Sequence, residues 1–253
     1  MTFAQKHIAA ALAFAAIGAA HADVLTVKNG GATFQGSGTL TFSADLLGAL
    51  DTAKMAVTNY GTVTSVIQKD SDGYFSNISA TAPMQTLSLD DTSLQVLGVG
   101  TKGGLTMTAP ALKSVSSGGS MTVTDITADL TTKTIYATII GANGVGTLNN
   151  FALWNFATLT GPTTYAGPGQ YVDDISGLSL TTQGLSVFSQ SLGLLTLGKS
   201  ALNGITDYGS IHSVITTTLV IDGATPVVPE PSTYALMGLG LVGIAFKARR
   251  KSA

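Results

Sequence analysis

The chain has 253 residues, 45% of them hydrophobic and only 10% charged, with twelve Lys and Arg against fourteen Asp and Glu. That charge fraction is far below the usual ~25%, and a mean hydropathy of +0.37 excludes a charge-rich disordered protein. A formal charge of −2 speaks against a nucleic-acid binder built on a basic face, and the absence of Cys excludes a disulfide frame, Cys-ligated zinc and a thiol nucleophile.

At the N-terminus, Lys6 and His7 precede an apolar run from Ile8 to Ala20, which ends in Ala20-His21-Ala22. A positive start, a short apolar core and a small-x-small site describe a secretory signal peptide. Residues 1–22 are therefore expected to form a signal helix, cut after Ala22 by signal peptidase.

Residues 23–226 are the expected exported domain, β-rich throughout. The stretch 23–228 carries seven Lys, no Arg and thirteen Asp, so it is acidic by six charges, and His212 is its one His. Leu40, Phe42, Ala44 and Leu46 fall on one side of a strand, with Thr39, Thr41, Ser43 and Asp45 on the other. A helical turn over Ala44 to Leu50 competes with that reading. Met121 and Val123 share a face, whereas Ile126, Ala128 and Leu130 take the opposite parity, which predicts a bulge or break near Thr124-Asp125. Ile135, Ala137 and Ile139 continue after a turn at Thr131-Thr132. Further turns are expected at Asn29-Gly30-Gly31, Asp72-Gly73, Ser117-Gly118-Gly119, Asn143-Gly144, Asn203-Gly204 and Asp222-Gly223. Pro162 and Pro168 bracket a long loop. Leu185, Phe188, Leu192 and Leu195 have helical spacing behind Thr181-Thr182, which predicts a helix over 182–194. Threonine faces water without a charge, so a Thr-coated β-surface explains the low charge. The expected fold is mainly β: a β-sandwich-like body with one or two short helices.

Candidate chemistry in the body is sparse. Gly193-Leu194-Leu195-Thr196-Leu197-Gly198-Lys199-Ser200 fits the P-loop pattern literally. A phosphate cradle needs a strand before it and a sustained helix after it; here a helical pattern precedes it, and Asn203-Gly204 interrupts the segment on its C-terminal side. It reads as a chance match. Asp70-Ser71-Asp72-Gly73 resembles the start of a calcium loop, and Asp90-Asp91 and Asp173-Asp174 are paired carboxylates, but no Glu follows at the spacing calcium needs. His212 has many Ser to choose from and no G-x-S-x-G elbow. Phe151, Trp154, Phe156, Tyr165 and Tyr171 read as core at alternating positions, with a sugar-stacking surface as the other option. No metal site and no catalytic residue is assigned, and the body reads as non-enzymatic.

The tail, 227–253, is organised differently. Pro229-Glu230-Pro231 contains the only Glu of the chain. An apolar run from Tyr234 to Phe246 follows, about 20 Å long as a helix, and Lys247, Arg249, Arg250 and Lys251 close it. The expected helix, about 233–247, is a short transmembrane anchor whose basic end stays cytoplasmic. The two prolines keep the preceding segment extended and open to an enzyme.

Pro229-Glu230-Pro231, the Gly-rich apolar run (Gly238, Gly240, Gly243) and the terminal basic cluster resemble the PEP-CTERM sorting signal. The resemblance implies recognition by an exosortase in the inner membrane of a Gram-negative bacterium. It also implies a transient inner-membrane intermediate, a final place at the cell surface or outside it, and an association with exopolysaccharide or biofilm.

A second resemblance runs through the body. Gly38-Thr39-Leu40-Thr41-Phe42 with Leu46 to Leu50, Gly103 to Met107 with Val123 to Asp129, and Leu180 to Leu185 with Leu192-Gly193-Leu194 are similar to surface domains related to the HtaA haem-uptake module. That resemblance implies a small-ligand module as the alternative function, with haem held by a Tyr that a His supports. No particular Tyr is matched, and His212 alone does not establish the pair, so no cofactor-binding residue is assigned. Otherwise no cofactor is expected.

Overall fold

Threonine and serine alternate with aliphatic residues along most of the body, and each such run becomes a strand with its aliphatic side turned inward. The computed structural model describes residues 24–28, 34–165 and 167–218. Strands β1 (Val24–Lys28) and β2 (Phe34–Phe42) lead into helix α1 (Ala44–Thr52). Then come β3 (Ala56–Tyr60), β4 (Thr64–Lys69), β5 (Phe75–Asp90), β6 (Val96–Thr101) and β7 (Gly104–Leu112). A meander follows of β8 (Ser116–Asp129), β9 (Thr134–Gly141), β10 (Gly146–Thr160) and β11 (Gly169–Leu180). Helices α2 (Thr182–Ser191) and α3 (Thr196–Asn203) separate it from β12 (Gly209–Thr217).

The strands close on themselves. β5 pairs with β2, β2 with β12, and the order continues through β11, β10, β9 and β8. β6 then pairs with both β8 and β5, which completes an eight-stranded antiparallel barrel. This corrects the expected β-sandwich. Alternation tells only that one face of each strand is buried; an opposite sheet and an opposite barrel wall leave the same pattern. What decides is the short β6, whose two edges are both occupied. Three of the four remaining strands widen one end of the barrel: β7 continues beside β8 where β6 stops, β3 adds to β7, and β4 lies on β5, whereas β1 pairs with the far end of β5.

The switch from β7 to β6 along β8 is at the predicted bulge. Pairing of β8 with β9 shifts register between Thr124 and Thr127. Asp125 takes a left-handed backbone (φ 51°), and its carboxylate accepts the Gly103 N–H at 3.0 Å. The Thr131-Thr132 turn is also present, capped by Asp129, whose Oδ1 accepts both backbone N–H groups and the Thr131 hydroxyl. Ser117-Gly118-Gly119, by contrast, lies inside β8; the reversal before it is at Ser114 (φ 64°).

Among the described residues three short helices are present rather than one or two, all at the wide end. Strand β2 stops at Phe42 because the Ser43 hydroxyl accepts the Leu46 N–H and caps α1, which settles the competing readings of Ala44 to Leu50. The Asp51 carboxylate accepts the Phe75 N–H, tying α1 to the start of β5. Thr181 caps α2 through the Gly184 N–H and donates to the Ala152 carbonyl of β10. Phe188 and Leu192 are buried beneath α2, but the helix ends three residues before the expected position and leaves Leu195 exposed. Gly193, at φ 62°, makes that break. No described helix is long and apolar enough to cross a membrane; the expected signal helix and transmembrane helix lie outside the described residues.

Two apolar clusters fill the barrel. The larger includes Leu40, Phe42, Ile78, Met121, Ile135, Ile139, Trp154, Phe156 and Ile211. The smaller, at the narrow end, gathers Phe34, Met84, Leu87, Leu89, Val96, Tyr165 and Ile215.

Candidate functional site

Inside the barrel, an apolar cavity of about 60 Å³ is bordered by Leu40, Ala82, Leu105, Trp154, Phe188 and Tyr208 among others. Ligand pockets usually measure about 300–1,000 Å³. The Tyr208 hydroxyl already donates to the Leu202 carbonyl at 3.0 Å, and burial raises its pKa. His212 does not border this space. It stands on the outer face of β12, half exposed, so Tyr208 and His212 lie on opposite sides of the wall. Trp154, Phe156 and Tyr165 are buried, so these aromatics belong to the core and offer no stacking platform to solvent.

The narrow end is stoppered by the segment after β10. Thr164 bridges to Gln95, Val96 donates to the Thr163 carbonyl, and Tyr165 donates to the Leu94 carbonyl. This puts the Tyr165 ring, 1% exposed, into the barrel mouth. It stacks on Tyr171 with centroids 4.0 Å apart, and its hydroxyl donates to Asp173 Oδ2. Asp173 Oδ1 is buried without a hydrogen-bond partner. Desolvation raises the Asp173 pKa, with Tyr165 opposing and Asp174 adding to the rise. Tyr171 and Thr217 both donate to the Gly167 carbonyl, so the last residue of β12 is pinned to the stopper.

Asp173 and Asp174 are adjacent in sequence, but strand alternation sends them to opposite faces. Asp174 points outward and contacts His212, with Oδ1 to Nδ1 at 2.7 Å. The pair sits within two rows of hydroxyl-bearing side chains. One row runs Thr160, Asp174, His212, Thr39, Thr81 and Thr64 across six neighbouring strands. Beside it run Thr158, Ser176, Ser210, Thr41 and Ser79. All of these are exposed or half-exposed, while the alternating Leu40, Ala80, Ile175 and Ile211 are buried. Thr39 and Thr81 hydroxyls bond each other at 2.8 Å. Sequence reading missed these rows because they exist only across strand pairings; the Thr content was the visible signal.

The other sequence candidates resolve into local structure. Asp70 Oδ1 accepts the Asp72 and Tyr74 N–H groups and closes the β4–β5 turn. Asp90 Oδ1 does the same for Thr92 and Ser93, whose N–H and hydroxyl hold its pKa down. In the P-loop look-alike, α2 occupies the place of the strand, and α3 begins at Thr196, inside the motif. The Lys199 N–H is used by the Leu195 carbonyl, and a Cβ on Gly198 would stand 2.3 Å from the Val115 carbonyl oxygen. Those glycines seat the α2–α3 turn against the β7–β8 hairpin, where Ser116 donates to the Leu192 carbonyl. Ala20, Ala22, Pro229, Glu230, Pro231, Lys247, Arg249, Arg250 and Lys251 lie outside the described residues.

Residues 227–251 match the family model described as the PEP-CTERM protein-sorting motif. The chain is therefore an exported protein sorted by an exosortase, carried through the membrane toward the cell surface. Comparison with curated proteins and with solved structures gives no match. The resemblance of the body to HtaA-related domains gains no support.

Proposed function

We propose that the mature protein is a non-enzymatic component of the cell envelope or extracellular matrix, associated with exopolysaccharide. The pairing of a sorting tail with a barrel whose interior is filled by its own side chains carries this reading. A protein with a closed, packed core acts through its outer wall. The Asp174–His212 pair stands open on that wall with side chains about half exposed, which is a poor setting for catalysis, where water exclusion strengthens electrostatics.

In this reading, signal peptidase cuts after Ala22 and the Lys247–Lys251 cluster keeps the tail end cytoplasmic. The exosortase acts near Pro229-Glu230-Pro231, and the body is then released or attached outside. Replacing Glu230 by Ala tests the processing. Mass spectrometry of the exported wild type is expected to lack the C-terminal peptide with Arg249-Arg250, and the variant to retain it. The same C-terminal peptide in both forms would refute the assignment.

A further inference from the structure

We propose that the outer wall of β11, β12 and β2 binds a neutral polysaccharide, through Asp174, Ser176, His212, Ser210, Thr39 and Thr41. The inference rests on the matrix reading above and gives it a site.

Three observations support it. First, these six side chains form a two-by-three grid fixed by backbone pairing: Asp174, His212 and Thr39 in one row, Ser176, Ser210 and Thr41 in the next. Neighbouring strands stand about 4.8 Å apart, and successive outward residues about 7 Å along a strand. A β-linked pyranose chain repeats at a spacing comparable to the first of these. A chain lying across the strands thus meets a fresh pair of polar groups at each sugar, and three strands accommodate about two or three units.

Second, the chemistry of the grid matches sugar hydroxyls. Each Ser or Thr hydroxyl donates one hydrogen bond and accepts others, as a sugar hydroxyl does. The grid has no large apolar side chain of the kind that forms the centre of protein–protein interfaces.

Third, the charge selects the polymer. The grid contains no Lys or Arg, and its single carboxylate is paired with His212. The 23–228 body is acidic by six charges. Polyanionic chains and anionic bilayers are therefore repelled, and a neutral chain is the partner that fits. Each contact is weak, so retention depends on many repeats of the polymer.

The test is affinity electrophoresis of the exported protein through gels containing hydroxyethylcellulose, galactomannan or dextran, with alginate as the polyanion. Retardation is expected in at least one neutral gel and not in alginate. The variant S176A/S210A/T39V/T41V removes four hydroxyls at exposed or half-exposed positions and should bind about tenfold more weakly or worse. T58V/T147V, changed at exposed positions on β3 and β10, should run as wild type. Thermal melting of each variant separates loss of binding from loss of fold. If the quadruple variant unfolds, single S210A and T41V proteins must each show reduced retardation. No retardation in any neutral gel, undiminished retardation of the folded variants, or retention only by alginate or anionic phospholipid vesicles overturns the proposal. Tail processing at Glu230 is read separately by mass spectrometry, so failure of this site leaves that reading standing, and failure of processing leaves this site to be judged on its own gels.

Discussion

Replacing Tyr165 tests whether the segment after β10 is a structural stopper or a surface loop. The ring is 1% exposed, stacked on Tyr171 and packed with Phe34, Met84 and Leu89. Tyr165→Ala removes a fully buried aromatic, a class of change that costs about 3–5 kcal/mol. It also removes the hydrogen-bond donor to Asp173. Tyr165→Phe keeps the packing and removes only the hydroxyl, leaving the carboxylate with neither oxygen bonded by this neighbour. Leaving a buried polar group unsatisfied costs about 1–3 kcal/mol, and the partial exposure of Asp173 puts the expectation at the lower end. Urea denaturation at neutral pH measures both. The expected order is wild type, then Phe, then Ala, with the larger gap before Ala. A Tyr165→Ala loss below about 1 kcal/mol would show that the segment does not close the barrel, since surface substitutions usually stay within about 0.5 kcal/mol. A Phe variant equal to wild type would remove the hydroxyl–carboxylate bond from the argument while keeping the stopper.

Asp173 gives a pH prediction. Its pKa is raised in the folded chain above 3.8, so the folded state holds the proton more tightly than the unfolded one. The stability from this group is fully present below 3.8 and is lost as pH rises through the folded value. Asp173→Asn should therefore raise the urea midpoint at neutral pH and lose its advantage below 3.8; a midpoint lowered at neutral pH would contradict this. Gly198→Ala would add about 1 kcal/mol in an ordinary helix interior. Here its Cβ would meet the Val115 carbonyl oxygen at 2.3 Å, so chemical denaturation should show a net loss of about 1–3 kcal/mol. Thr181→Ala removes the α2 cap and a bond to Ala152, and calorimetry should show a cost of about 1–2 kcal/mol.

The parts of this fold that sequence makes legible are those set by neighbours along the chain. The β-rich body, the bulge at Thr124-Asp125, the start of α2 behind Thr181 and the sorting tail all depend on a few consecutive residues. The barrel does not. Its closure depends on pairing Thr39 with His212 and Gly98 with Asp129, and no local pattern reports those partners. The same holds for the hydroxyl grid, which crosses strands distant in sequence. α3 was hidden for a different reason: its first residues imitate a phosphate loop, and only the tight packing of Gly198 against Val115 reveals why a glycine stands there. The Asp173-Asp174 pair was visible as a doublet, but its division between stopper and wall emerged only once β11 had a known inside.

The pairing of β12 with β2 has a consequence for secretion. The last strand of the ring binds one of the first, so the cylinder cannot shut while Thr217 is still on the cytoplasmic side. In a chain that crosses a membrane unfolded and N-terminus first, the ring must stay open until almost all of it has crossed. The sorting motif begins at residue 227, ten positions beyond Thr217. The final staves can therefore come together only when the chain is within ten residues of its sorting motif, which makes sealing of the cylinder one of the last events of export.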